Sequence, residues 1–504
     1  MTETDRTPRY LIRGGRIYDH DGDVHQPAVA DLLISGDKIE RIAPAIAAPD
    51  GVEVIEARGN LVVPGFVNSH YHSHDVLLKG MFEEMPFDIW ALHTNAASYG
   101  RRSLHELRIR TLIGAAEMLR NGITTVQDFL TVYPADEAIV DTVLSAYAEA
   151  GIRVVFAIAA RDRAALDIAP LMTKELPEGI RQRLVGTSRP AKDELDFVSG
   201  QITRLGMQPR PLTTWALAPS APQRCSPELL EGIAALSREH GFPVFTHVYE
   251  TRPQAAAAHV QSSSLLDVLA NAGLMTGRLN LVHGVWLAAR DIAMLAECGA
   301  SVVHNPISNL KLKSGVAPIL DLYRAGVPIA LGCDNYSCAE TQNIFIAMRM
   351  LCLLPAVTDP EPHLVNAAYA LKAATLAGAR AVGLADKIGA LKPGMTADLM
   401  ILDLKEPAFV PFNSAARQIV YSEAGRAVET VLVGGKPVVR NGKLITVDEA
   451  ALAAEVEKIA PAFRRDAQAL AARNADLSAP LLNANREAWK VPLGIERYIG
   501  RGKS

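Results

Sequence analysis

Cysteine is scarce in this sequence. Five residues, Cys225, Cys298, Cys333, Cys338 and Cys352, are scattered over 504 positions. Their number is odd and their spacing irregular, which excludes a disulfide framework and points to a reducing cytoplasm. No apolar run approaches the ~18–20 residues that span a bilayer. The opening MTETDRTPRY has no apolar stretch, so no secretory signal is expected. Neither sign of charge dominates: 51 basic residues stand against 55 acidic ones, for a net charge of −4. That balance gives no large basic surface for nucleic acid or an anionic membrane, and leaves a small molecule as the expected partner. Internal repeats and low-complexity tracts are also missing. What is present is ordinary for a globular chain, 49% hydrophobic and 21% charged, enough for a sizeable core.

Three kinds of pattern follow one another. Residues 9–63 read as short strands with turns at Gly14-Gly15 and Gly36-Asp37. Residues 64–394 alternate apolar strands with helical stretches, which argues for parallel βαβ units. Eight strands are expected, over 61–70, 122–129, 152–159, 212–219, 242–248, 278–284, 300–306 and 327–334. Ser103 and Ser226 read as helix caps, Ser103 with Glu106 three residues on. Eight parallel strands in this span predict an α/β fold, a TIM-type (β/α)8 barrel. The long gap before the fourth strand implies an insertion. Residues 395–446 return to short strands, with a hairpin turn at Gly434-Gly435. They are expected to complete a small β-sandwich with residues 1–63. Residues 447–504 read as an Ala-rich helix to about 475 and a Pro-punctuated tail. This extension is expected to pack on a second subunit, making a homo-oligomer such as a dimer.

The barrel frame orders the histidines. His70 and His72 end the first expected strand, and at i and i+2 their side chains share a face. An isolated H-x-H is weak evidence. Its force comes from His247, His283 and Asp334, which end the fifth, sixth and eighth strands. Barrel chemistry sits at the C-terminal strand ends. Three imidazoles and a carboxylate there form a four-ligand set suited to Zn²⁺ or Fe²⁺.

These residues carry a resemblance. PGFVNSHYH, the His247–Glu250 H-x-x-E, VVHNPISNLKLKSGVAP and IGALKPGMTADLMILD resemble the amidohydrolase superfamily. The likeness is to its mononuclear deaminase branch, which includes cytosine, guanine and S-adenosylhomocysteine deaminases and the triazine hydrolases. It covers about residues 9–445. It implies one metal ion per chain, held by His70, His72, His247 and Asp334, with Zn²⁺ ahead of Fe²⁺. It further implies that Glu250 shuttles protons and His283 orients the attacking water. Asp334 can accept the proton of a water whose pKa the ion lowers. Binuclear relatives use a Lys from the fourth strand; LTTWALAPSAP has none, so one ion is expected.

Candidates for the substrate wall are Gln223 and Trp215 near the fourth strand, His304 after the seventh, and Asn335 after Asp334. Phe82, Met85, Phe87, Trp90 and His93 in segment 80–94 are candidates for an aromatic lid. Asn305, Ser308 and Asn309 are expected to hold their loop by local hydrogen bonds, Asp128 to be structural, and His74 not to ligate. The chain departs from the branch twice. APSAPQRCS replaces a P-H-x-x-Y-like segment, and Asn335, Tyr336 and Ser337 follow Asp334 where many relatives have Gly. The resemblance therefore implies the reaction class without an adenosine-type substrate. The reading is a hydrolytic deaminase of an amino-substituted purine, pyrimidine, pterin or triazine. Alternatives are displacement of chloride or an alkylamine, cleavage of an amide or carbamate C–N bond at the same site, and, remotely, an inactive structural relative.

Overall fold

The strands are β1 (Arg9–Ile17), β2 (Val29–Ser35), β3 (Lys38–Ala43), β4 (Glu53–Glu56) and β5 (Asn60–Pro64), then β6 (Phe66–Tyr71), β7 (Ile123–Leu130), β8 (Arg153–Ala160), β9 (Thr213–Trp215), β10 (Ala218–Pro219), β11 (Val244–Val248), β12 (Leu279–His283), β13 (Ser301–His304) and β14 (Ile329–Leu331), and last β15 (Leu399–Asp403), β16 (Val428–Val433), β17 (Lys436–Arg440) and β18 (Lys443–Leu444). They belong to a computed structural model that describes residues 9–132, 135–163, 171, 189–207, 210–362 and 364–499. Residues 164–170, 172–188 and 208–209 of the insertion expected before the fourth barrel strand lie outside the described residues. Its described part is a helix, Ala191–Gly206.

The two chain ends share one sheet. Its order is β18-β17-β16-β15-β5-β1-β2-β3, with β4 on β1. The join is the antiparallel β5–β15 pair, from Asn60 opposite Asp403 to Pro64 opposite Leu399. Gly14-Gly15 does not make the expected turn. β1 runs straight through it, with a slip in register between Ile12 and Gly15. Gly14 takes a φ of +68°, which a side chain would resist, and its amide donates to Asp31 Oδ1 at 2.7 Å.

The strand expected over 61–70 divides at Gly65. Its first half, β5, stays in the end sheet, and its second half, β6, enters the barrel. The barrel strands β6, β7, β8 and β9/β10 pair in parallel order, as do β11 to β14. Leu217 and Val244 bridge the two groups. On the other side Asp334 N donates to His70 O at 2.9 Å, joining β14 to β6. This closes an α/β TIM-type barrel. Gly332 permits the closure, because a Cβ there would lie 2.2 Å from Asn305 Oδ1 and 2.8 Å from His70 Cβ. Apolar side chains make up most of the strand faces toward the helices, but Asn68 and Asp128 reach that layer too, where they bond Gln342 and Tyr147.

Both serine caps form. Ser103 accepts from Glu106 N at 3.1 Å and Ser226 from Leu229 N at 3.2 Å, each supporting its helix by ~1 kcal/mol. Glu106 does not reach back to close a capping box; its carboxylate pairs with Arg102 and Arg110.

The C-terminal extension corrects the expectation most. Its long helix, Glu449–Arg473, is followed by a second, Ser478–Ala488, where an irregular tail was expected. Pro480 lies in that helix's first turn, which tolerates a missing N–H. The apolar stripe packs on residues of its own chain. Leu477, Leu481 and Ala484 bury against Leu92 and Ile89, and Phe463 and Ala467 against Leu78, Phe82 and Tyr99. Its own chain covers it, so the stripe supplies no argument for an oligomer. Among the described residues no helix is long and apolar enough to cross a membrane.

Candidate active site

The C-terminal strand ends surround a cavity of about 140 Å³. Its floor holds His72, His247, Glu250, His283 and Asp334, with His70 directly beneath. His70 Nε2 lies 3.5 Å and His72 Nε2 3.6 Å from Asp334 Oδ1. His283 Nε2 lies 3.8 Å from both Asp334 Oδ2 and Glu250 Oε2. His70 packs at 4.9 Å from His247 and 5.8 Å from His283, ring centre to ring centre. Donor atoms of His70, His72 and Asp334 fall within 4.8 Å of one another, and so do those of His70, His247 and His283. The fifth donor, His283, thus stands as close to the cluster as the four expected ligands do.

The backbone sets the imidazole tautomers. His72 Nδ1 donates to Phe129 O at 2.8 Å and His247 Nδ1 to Ser220 O at 2.8 Å. His283 Nδ1 donates to Asn309 Oδ1 at 2.9 Å. With Nδ1 carrying the proton, each Nε2 presents a lone pair to the centre. Asn309 therefore does more than hold its own loop, as had been expected of it. Burial pushes the pKa of all four imidazoles below 6.5 and keeps them neutral. Burial raises the pKa of Asp334, but a hydrogen bond with His70 and the charge His283, His70 and His72 carry when protonated outweigh it and hold the carboxyl well below its usual range.

Both ring nitrogens of His70 are buried without a hydrogen bond. Each buried polar atom in that state costs about 1–3 kcal/mol. An ion at the Nε2 face relieves that cost, and neutral imidazoles with an ionised carboxylate are the donor chemistry a divalent metal requires. The residues fit the group. Backbone strain gathers here as well. Tyr249, His283 and Asp334 have φ of 52°, 71° and 63°, a left-handed geometry that bulky residues hold only where the surroundings enforce it.

The rim holds some of the expected residues and leaves others out. Phe87 and Trp90, on the helix Phe87–Thr94, line the cavity, and so do His74 and Asn335. Trp90 Nε1 donates to Ser337 Oγ at 2.9 Å, and Ser337 Oγ donates to Asp75 at 2.5 Å. Asp75 was not anticipated; its carboxylate also accepts from the Tyr336 and Ser337 amides. His93 turns away and packs on Phe82. Gln223 and Trp215 are not cavity residues; Arg224 and Ser220 line that side, and Trp215 packs on Phe156. His304 is buried outside the lining, with neither ring nitrogen bonded. Asp128 accepts from Ser73 N and Tyr147 Oη and is structural.

Residues 61–438 match the model of the amidohydrolase family. The chain belongs to that family. This amidohydrolase is 30% identical over 444 residues to a 5-methylthioadenosine/S-adenosylhomocysteine deaminase of Pyrococcus furiosus, covering 87% of this chain and 97% of the relative. It is 30% identical over 440 residues to a 5'-deoxyadenosine deaminase of Methanothermobacter thermautotrophicus, covering 87% and 95%. Among solved structures it resembles a zinc-bound adenosine deaminase of Xanthomonas campestris, with a TM-score of 0.76, 28% identity, and 92% and 99% coverage. The fold is also that of a zinc-bound atrazine chlorohydrolase of Arthrobacter aurescens, with a TM-score of 0.78, 22% identity, and 90% and 100% coverage.

Proposed function

We propose that this amidohydrolase is a metal-dependent hydrolytic deaminase of an amino-substituted nitrogen heterocycle. The observation that carries the reading is the convergence of His70, His72, His247, His283 and Asp334 on one point beside Glu250 in the cavity at the strand ends. Relatives at 30% identity named as deaminases support it. His70, His72, His247 and Asp334 would hold one divalent ion, zinc ahead of iron. When bound, such an ion supplies Lewis acidity and makes water nucleophilic near neutral pH. The chain's own residues do the rest. Asp334 accepts the proton of the attacking water. Glu250 delivers its proton to the ring nitrogen beside the attacked carbon, takes the remaining proton of the added oxygen, and passes it to the amino group as the C–N bond breaks and ammonia leaves; the proton held by Asp334 then returns Glu250 to its starting state. His283, 3.8 Å from each carboxylate, orients the attacking oxygen. Trp90 and Phe87 offer apolar faces to a flat ring.

We further assign residues 64–394 to the barrel domain, and residues 1–63 and 395–446 to a small β-sandwich. The five free cysteines, four of them buried, support a reducing cytoplasm. Ammonia release from a panel of aminated purines, pyrimidines, pterins and triazines tests the function. Release from at least one ring by the zinc-loaded protein is expected. Failure on every ring, with metal at one ion per chain, overturns it. Parallel assays on matched chloro rings separate deamination from halide displacement.

A further inference from the structure

The extension's end reaches the site from behind. Arg252 lies two residues past Glu250 and opens the helix Arg252–Val260. Its guanidinium lies over two adjoining indoles, 5.0 Å from the ring centre of Trp286 and 4.5 Å from that of Trp489. Arg252 Nη2 also donates to Val491 O at 2.8 Å. Trp489 meets Trp286 at 6.0 Å and Tyr498 at 5.1 Å, edge to face. The tail continues across neighbouring loops. Arg497 Nε donates to Val285 O at 2.8 Å, Arg497 Nη2 to Leu287 O at 2.5 Å, and Arg497 O accepts from Val316 N at 2.8 Å.

Each fastened loop carries a residue of the site. Glu250 precedes Arg252, His283 precedes Trp286, and Asn309 precedes the 313–316 turn. Trp286 N donates to Tyr249 O at 2.8 Å, so the Glu250 and His283 loops are also tied to each other. The turn at Tyr249, with its φ of 52°, needs outside support to persist. A cation resting on two aromatic faces, with Nη2 donating to the Val491 carbonyl, fastens the chain segments that carry them.

We infer that Trp489, clasping Arg252 against Trp286, is a positioning residue for Glu250, and that the C-terminal extension completes the site. This rests on Glu250 as the proton carrier. The full-length zinc protein is the test object. Trp489→Ala should lower kcat about 10–100-fold, the scale of an ångström-sized misplacement, while KM stays within about threefold. Zinc should remain at one per chain. Amide hydrogen exchange over residues 249–255 should speed up by at least about tenfold, with β6 and β14 unchanged. Trp489→Phe should recover most of both effects, and Arg486→Ala, exposed on the helix that leads to Trp489, should show neither. Unchanged kcat and exchange in Trp489→Ala overturn the inference, and so does a kcat loss accompanied by loss of zinc. Where the parent protein deaminates no ring, the function fails by itself, and the exchange measurement alone decides the clasp.

Discussion

The floor of the cavity and its rim are held in different ways. Floor residues sit at strand ends inside a closed barrel, and backbone carbonyls or buried amides fix their tautomers. Rim residues sit on a helix and loops that borrow support from far along the chain. Leu92 and Ile89 lean on Leu477 and Leu481, and Asn474 Nδ2 donates to Leu92 O at 2.7 Å. Tyr99 stacks on Phe463 at 5.3 Å. Substitutions in the floor should therefore remove chemistry outright, and those in the rim should grade it.

The largest effect is expected at the floor's centre. His70→Ala or Asp334→Ala should drop bound metal from one per chain to near zero and take ammonia release to background. Elemental analysis beside the assay checks both. Metal retained at parental level in either variant would break the distinction between floor and rim. A smaller loss is expected one bond further out. Asn309→Ala removes the acceptor of His283 Nδ1, lets the imidazole choose its tautomer, and should cost about 10–100-fold in kcat/KM. Steady-state kinetics decide it, and an unchanged value would show that the acceptor does not matter.

The floor was legible in the sequence because strand ends leave a short-range mark. A buried β-strand is a short apolar run, and His70, His247, His283 and Asp334 each stand where one stops. A closed barrel then brings those ends together without further information. The rim left no such mark. Gln223 and Arg224 are adjacent, and only the turn Pro222–Arg224 decides which one faces the cavity. His93 and Trp90 are three apart on one helix, yet only Trp90 finds a partner across the cavity, in Ser337. The charged Arg224, just past a strand end, was the available signal for that wall. The extension's amphipathic pattern showed that it packs, but not against what. Its target, 380 or so residues earlier, is set by tertiary contacts such as that of Asn474 with Leu92.

The smallest effect lies outside both regions. His20 is buried where the end sheet meets the barrel, its Nε2 3.0 Å from Thr375 Oγ1. Burial, and then the charge of Lys372, lower its pKa from 6.5 to about 4. The folded state thus binds this proton less readily than the unfolded chain. The stability involved is present above pH 6.5 and is lost as pH falls from 6.5 through about 4. Thermal melting of metal-free protein should show that loss, and His20→Gln should lose less over the same window. Equal slopes in parent and variant would remove His20 from the account.

Metal and ammonia measured together on Glu250→Gln test the central claim most directly. The substitution keeps the side chain's shape and removes its proton. Zinc at the parental level with kcat lowered about 10²–10⁴-fold is the predicted result. Near-parental kcat with zinc in place would contradict the claim that Glu250 turns this metal-binding floor into a deaminase.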